Sequence, residues 1–309
     1  MIPEHRTPLA PIPPNAARDD RPFAAVLWMV AAQACFACMS LGGRLLAGRV
    51  AWPQVALVRF VIGALAAYLV ARIRLQRLVI RHRSAQFWRS VFGTLAAMGT
   101  FYLLSRAEMA LGDAVTLFAT SPLFVALISL PLLGERVTKS TLAAALFGFL
   151  GVILIARPSM SSAPWLVAIG IGTAASTAIA MVWLRRMGPD ESSEAIVFYF
   201  SLFGAVPLLG LAYRQWKDPT AAEWLLLVTT AFAGGFGQIF MTRAYSLTSA
   251  ARVSAVMSTG VVMTRFAAMG ILGERADGLQ WLGTAIIVIA TTLVAARSRT
   301  LQRHPPPKS

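Results

Sequence analysis

Residues 112–136 read GDAVTLFATSPLFVALISLPLLGER, and this stretch decides the fold class. The part from Gly112 to Leu133 is long enough to cross a bilayer as a helix, and Asp113 is its only ionisable residue. The run is continuously apolar, without the alternation typical of a membrane β-barrel. It therefore predicts a helix, which satisfies its own backbone hydrogen bonds in lipid.

The whole chain shares this character. Of its 309 residues, 57% are hydrophobic and 13% are charged, and the mean hydropathy is +0.66. Soluble domains usually carry about 25% charged residues, so the composition excludes disorder and argues against a soluble enzyme. Ten stretches of span length are predicted: Phe23–Leu46, Trp52–Ile73, Phe87–Leu104, Gly112–Leu133, Ser140–Ile155, Trp165–Trp183, Ala195–Tyr213, Trp224–Met241, Val253–Leu272 and Leu279–Ala296.

The net charge of +15 is typical of proteins that bind nucleic acid. Whether it indicates such a partner depends on where the basic residues lie along the chain. With the N-terminus in the cytoplasm, 19 of the 28 basic residues fall on the cytoplasmic side and 7 on the other side. Six of the 19, from Arg72 to Arg89, are assigned to the segment between spans two and three. This bias follows the positive-inside rule. It predicts a multi-pass protein of a bacterial inner membrane with both termini cytoplasmic, and it explains the charge without a nucleic-acid partner.

The chain also repeats itself. Leu133-Gly134-Glu135-Arg136 recurs 139 residues later as Leu272-Gly273-Glu274-Arg275, and each half holds five predicted spans. Because five is odd, the second half enters the membrane in the opposite orientation, as in many secondary transporters. The fold class predicted is an all-α membrane protein of ten transmembrane helices in two inverted five-helix repeats. The parts are a disordered cytoplasmic tail 1–22, a first repeat 23–157, a linker 158–164, a second repeat 165–296 and a cytoplasmic tail 297–309.

A known family carries similar motifs. The run Ala114–Val125, the LGER ends of spans four and nine, and Val58-Arg59-Phe60 resemble the drug/metabolite transporter superfamily, EamA type. The resemblance covers about Phe23 to Ala296 and departs where Val261 stands at the position of Pro122. It implies secondary transport of a small organic metabolite through a central cavity lined mainly by spans one, three, four, six, eight and nine. It implies no particular substrate.

Two arginines lie within predicted spans. Arg59 and Arg265 are each seven residues from the outer end of their span, so each lies about 10 Å deep on the same side. An arginine in the membrane costs at least a few kcal/mol unless it faces water or a partner. Either arginine is therefore expected to bind an anionic group of the substrate, or to form an ion pair with Glu108 or Asp113.

Uncharged polar side chains complete the predicted substrate site. Amides buried in lipid are costly unless paired, so Gln33 and Gln238 are the better candidates. Hydroxyls are weaker candidates because they often bond to their own helix backbone. The remaining predicted site residues are Tyr102, Thr116, Thr120, Ser254 and Ser258.

No catalytic group, metal site or cofactor is predicted. The three histidines lie outside the predicted spans, and Cys35 and Cys38 have no second cysteine pair nearby. No P-loop is present, which argues against an ATP-driven pump. Glu135 and Glu274 follow helix-ending glycines and are expected to form turns that cap the next helix.

The predicted function is export of an amino-acid-like or other zwitterionic or anionic metabolite, siderophore-like compounds included, by alternating access in which the two halves rock. One alternative is uptake of a nucleoside-like or vitamin-like metabolite. An alternative of another class is a membrane enzyme acting on lipid-linked substrates, which the lack of acidic or histidine clusters disfavours. The expected partners are a small-molecule substrate and the lipid bilayer, with the chain a monomer or homodimer.

Overall fold

The computed structural model describes residues 22–121, 123–125, 127–128, 143, 146–147, 150–151, 154, 164–187, 191–247, 256–257 and 259–303. All regular elements in these ranges are helices. They are α1 (Pro22–Leu45), α2 (Trp52–Ile73), α3 (Arg83–Leu104), α4 (Leu111–Phe118), α5 (Pro164–Met187), α6 (Ser193–Arg214), α7 (Ala221–Leu247), α8 (Thr259–Leu272) and α9 (Gly278–Arg303). Helices α1–α4 lie in predicted spans one to four, and α5–α9 lie in spans six to ten. Most of span five and the first LGER fall outside the described residues.

Five of the described helices are long and apolar enough to cross a bilayer. They are α1, α2, α5, α6 and α7, whereas α4, α8 and the first part of α9 are shorter apolar helices. The predicted all-helical architecture is thus confirmed for the described part of the chain. The number of ten spans stays a prediction.

Helices of the first half pack mainly on helices of the second half. The most extensive contacts join α1 with α7 and α8, α2 with α6 and α7, and α3 with α5 and α6, while α4 packs on α5 and α8. Exchanging α1–α4 for α5–α8 in order converts each of these contacts into another that is also present. The pair α1 and α7, for example, becomes α5 and α3. The packing has the pseudo-two-fold pattern of two equivalent, interleaved halves.

Glycines allow the closest helix approach in this core. A Cβ placed on Gly235 of α7 would lie 3.2 Å from the Cα of Gly63 on α2. Between membrane helices, where no hydrophobic effect drives association, such close backbone contact supplies much of the attraction. The contact holds α7 against α2 and so fixes the positions of Arg59 and Gln238, which lie on these two helices.

Replacing Gly235 should therefore weaken the bundle. We expect Gly235→Val to lower stability by about 1–3 kcal/mol, because the added carbons meet backbone that cannot move aside. The matched control is Gly210→Val in α6, since a Cβ at Gly210 meets nothing within 4 Å. Thermal unfolding in detergent measures both variants, and equal melting temperatures would refute the close-packing argument.

Candidate substrate site

A central cavity of about 220 Å³ lies where the two halves meet. Helices α1, α3, α4, α5, α7 and α8 all contribute lining residues, and these are the spans that the family resemblance assigned to a cavity. Helices α2 and α6 add Arg59 and Phe200. Most of the wall is apolar or aromatic, so the few polar groups in it determine what the cavity can recognise.

Arg59 and Gln238 meet at this cavity. Arg59 is only 5% exposed, and its Nη2 donates a hydrogen bond to Oε1 of Gln238 at 3.1 Å. Its guanidinium carbon lies 4.7 Å from the centre of the Phe60 ring. The Nε and Nη1 atoms are buried without a hydrogen-bond partner. The structure thus brings together two residues that the sequence proposed separately, and leaves donors on Arg59 free.

A second arginine lines the same cavity from α3. Arg89 is 2% exposed, and its guanidinium carbon lies 4.0 Å from the centre of the Phe200 ring. The guanidinium carbon of Arg59 lies 5.6 Å from the centre of that ring. Nε and Nη1 of Arg89 are also buried without a partner. Both guanidinium groups therefore lie close to one aromatic ring.

Counting Arg89 with the segment between spans two and three was wrong, and it also conflicted with the predicted start of span three at Phe87. Helix α3 begins still earlier, at Arg83, so Arg89 lies in its second turn. A signal was present in the sequence: Arg89, Gly93, Ala97 and Thr100 recur at helical spacing. Together they form a polar and small-residue face of α3 that lines the cavity.

Within the described part of the chain, neither arginine has an acidic partner. Among the described residues that line the cavity there is no aspartate, glutamate or histidine. Stacking on an aromatic ring returns about 0.5–2 kcal/mol, whereas the effective cost of burying an ion is several kcal/mol. The site therefore holds two positive charges that the surrounding side chains do not neutralise. Such an arrangement favours binding of an anion.

Arg265 has a different environment. Its Nη2 lies 2.8 Å from Oδ1 of Asp113 and 3.3 Å from the hydroxyl of Thr116. The other Asp113 oxygen accepts a hydrogen bond from Gln280 at 2.7 Å. Arg265 is not among the described residues that line the cavity. Of the two roles that the sequence left open, this geometry favours the ion pair.

Glu274 joins the two halves close to this ion pair. Its carboxylate accepts the backbone N–H groups of Leu111 at 2.7 Å and Gly112 at 3.2 Å, the first residues of α4. Glu274 thus caps a helix of the other half, and the expectation that it caps the next helix was wrong. The reason is that α4 of the first half begins beside the end of α8. The name outer latch is used below for Asp113, Arg265, Glu274 and Gln280, after the side of the membrane that the sequence predicts for them.

Of the other predicted site residues, Gln33 lines the cavity and donates to the sulfur of Met29 at 3.2 Å. The rest lie apart from the cavity or outside the described residues. Thr116 and Thr120 donate to backbone carbonyls of their own helical segment. The hydroxyl of Tyr102 accepts from Arg106 at 2.8 Å, away from the cavity. Ser254 and Ser258 lie outside the described residues.

Comparison with known proteins identifies the family. The model of the EamA-like transporter family matches the chain twice, over residues 23–157 and 164–296. The chain belongs to this family. The predicted family is therefore confirmed, and so is the prediction that the chain is a transporter rather than an enzyme. The alternative of a membrane enzyme acting on lipid-linked substrates is set aside.

Individual relatives differ in cargo. The chain is 31% identical over 239 residues to the pseudopaline exporter CntI of Pseudomonas aeruginosa, covering 77% of this chain and 84% of that protein. It is 25% identical over 294 residues to a riboflavin transporter of Rhizobium johnstonii, covering 94% and 97%. A solved crystal structure matches with a TM-score of 0.61 and 17% identity over 91% of this chain and 96% of that one, which shows the fold alone.

Arg265 has a buried carboxylate partner and Arg89 has none among the described residues, so replacing each of them should have opposite effects on stability. Arg265→Met leaves Asp113 buried without its cation, and removing one partner of a buried pair costs about 3–5 kcal/mol. Arg89→Met removes a charge that has no counter-ion, so its melting temperature should equal or exceed that of the unsubstituted protein. Thermal unfolding of the substrate-free protein measures both. A large loss for Arg89→Met would mean that the charge is compensated.

Proposed function

We propose that this EamA-family chain is a ten-helix secondary transporter of a bacterial inner membrane, built from two inverted repeats with both termini cytoplasmic. The exchange pattern of the helix contacts supports two equivalent halves. The double match of the family model supports the same division. The excess of basic residues on one side supports the orientation.

The transport mechanism proposed is alternating access through the central cavity. The outer latch closes the predicted outer side, because it ties the start of α4 to the ends of α8 and α9. The sequence suggested that the two halves rock as rigid bodies. Their interleaved packing argues against such a motion. The proposed moving unit is α4 with α8, which pack on each other across the two halves and carry Asp113 and Arg265 of the latch.

The proposed cargo is an amino-acid-like or other anionic metabolite, moved outward. The observation that carries the proposal is the pair of arginines without acidic partners in the cavity. Similarity to the pseudopaline exporter supports the outward direction. Uptake of a vitamin-like compound is the second candidate, because the riboflavin transporter aligns over nearly the whole chain and Phe36, Phe101 and Phe118 offer the cavity aromatic walls.

Filling the cavity should stop transport. Ala97 lines the cavity from α3, so we expect Ala97→Trp to abolish flux of a panel of labelled amino acids and organic acids in proteoliposomes. Leu95→Trp is the control, since Leu95 lies on the same helix and is 50% exposed. Export further predicts energised accumulation in inside-out membrane vesicles. Accumulation only in right-side-out vesicles would favour uptake, and equal flux in both tryptophan variants would contradict transport through this cavity.

Breaking the outer latch should open the outer side. Asp113→Asn removes the negative charge that pairs with Arg265, so the closed conformation loses stability relative to the outward-open one. The reporter is Thr264→Cys, a cavity position, in a background with Cys35 and Cys38 replaced by alanine. An impermeant maleimide added outside should label it about tenfold faster when Asp113→Asn is present, which corresponds to about 1.4 kcal/mol.

The control for this experiment is Asp218→Asn, which removes an exposed carboxylate bonded to Trp216. Its labelling rate should equal that of the reporter alone. An unchanged rate in Asp113→Asn would show that the latch does not control outer access.

A further inference from the structure

The two cavity arginines indicate a narrower class of cargo than the proposed function names. Resting on that function, we propose that Arg59 and Arg89 form a site for an organic dicarboxylate, one carboxylate on each guanidinium. The two groups come from different helices, α2 and α3, and their guanidinium carbons lie 5.6 Å and 4.0 Å from the centre of the Phe200 ring. A dianion with a carbon chain between its acid groups fits two cations that lie close to one apolar ring.

Both guanidinium groups have N–H donors that lack a hydrogen-bond partner among the described residues. Arg59 uses Nη2 for Gln238 and keeps Nε and Nη1, and the same two atoms of Arg89 have no partner. Guanidinium and carboxylate form strong charge-assisted hydrogen bonds, particularly where water is excluded. The bond from Arg59 to Gln238 also fixes one side of the site before cargo arrives.

Charge balance favours two acid groups over one. A monocarboxylate would leave one guanidinium uncompensated, since no acidic residue is among the described lining residues. A zwitterion fits less well, because its ammonium group would enter a cavity with two cations and no carboxylate. A dicarboxylate neutralises both arginines, which lowers the cost of carrying them in a closed, dry cavity.

The charge of a dicarboxylate also indicates an energy source for its export. A dianion leaving the cell moves two negative charges in the direction that an inside-negative membrane potential favours. Each charge corresponds to about a tenfold concentration ratio for every ~60 mV. The described lining residues include no histidine or carboxylate that would carry a proton with the cargo. Export of a dicarboxylate then needs no coupling ion.

The direct test is binding by the purified full chain. The probes are α,ω-dicarboxylates of four to eight carbons, and each is compared with its own monoamide, which lacks one charge at nearly equal size. Isothermal titration should show the best dicarboxylate binding about 10- to 100-fold tighter than its monoamide, the range expected when a charged hydrogen-bonded contact is lost. Equal affinity of every pair in the unsubstituted protein overturns the proposal without any variant.

Variants assign the two carboxylates. Arg59→Gln and Arg89→Gln should each reduce the preference for the dicarboxylate to near one, whereas Arg89→Lys, which keeps the charge, should retain part of it. The controls are Arg72→Gln on α2 and Arg83→Gln on α3, both exposed positions whose substitution should change nothing. An unchanged preference in either Arg59→Gln or Arg89→Gln overturns the two-arginine site.

Transport measurements distinguish a failure of the dicarboxylate site from a failure of the proposed function. In proteoliposomes with a potassium diffusion potential, an inside-negative potential should accelerate efflux of the labelled dicarboxylate, and reversal of the potential should slow it. If other metabolites move through the cavity while no dicarboxylate binds, the transporter stands and the dicarboxylate site falls. If no compound of the full panel moves, the proposed function itself fails.

Discussion

The cost of placing a guanidinium group in a low-dielectric interior is the constraint on which the rest of this structure depends. For Arg265 this cost is offset by a buried carboxylate at 2.8 Å, and that ion pair connects the two halves. For Arg59 and Arg89 it is offset only in part, by an amide and two aromatic rings. The ion pair suits a structural closure, whereas the partly compensated arginines suit a site that is completed by an anion from outside the protein.

This difference separates the part of the bundle that closes from the part that binds. The outer latch lies at the ends of α4, α8 and α9, whereas the two unpaired arginines lie on α2 and α3 beside the cavity. The arginines stand on helices that each pack on two helices of the other half, α2 on α6 and α7, and α3 on α5 and α6. A carrier needs such a division, since its cavity must keep its shape while its exits change.

Much of the architecture could be predicted because it follows from local sequence. Hydropathy gives the spans, and the spacing of LGER gives the two halves. Arg59, Gln33 and Gln238 were singled out because a polar side chain in an apolar run is costly unless it has a role, and the structure places all three at the cavity. Arg89 was missed because it was counted with the basic residues of the preceding loop, although it lies just inside the predicted span three. The contact of Glu274 with α4 was missed because it joins residues 163 positions apart, and only the tertiary packing brings them together.

The central claim is that the cavity carries two positive charges that no side chain among the described residues neutralises. Anomalous diffraction from crystals of the full chain soaked in bromide tests it most directly, since bromide collects where positive charge is uncompensated and accessible. The account predicts bromide density beside Phe200 in contact with the guanidinium groups of Arg59 and Arg89, and none beside Arg265. An empty cavity, or bromide at Arg265 instead, would contradict it.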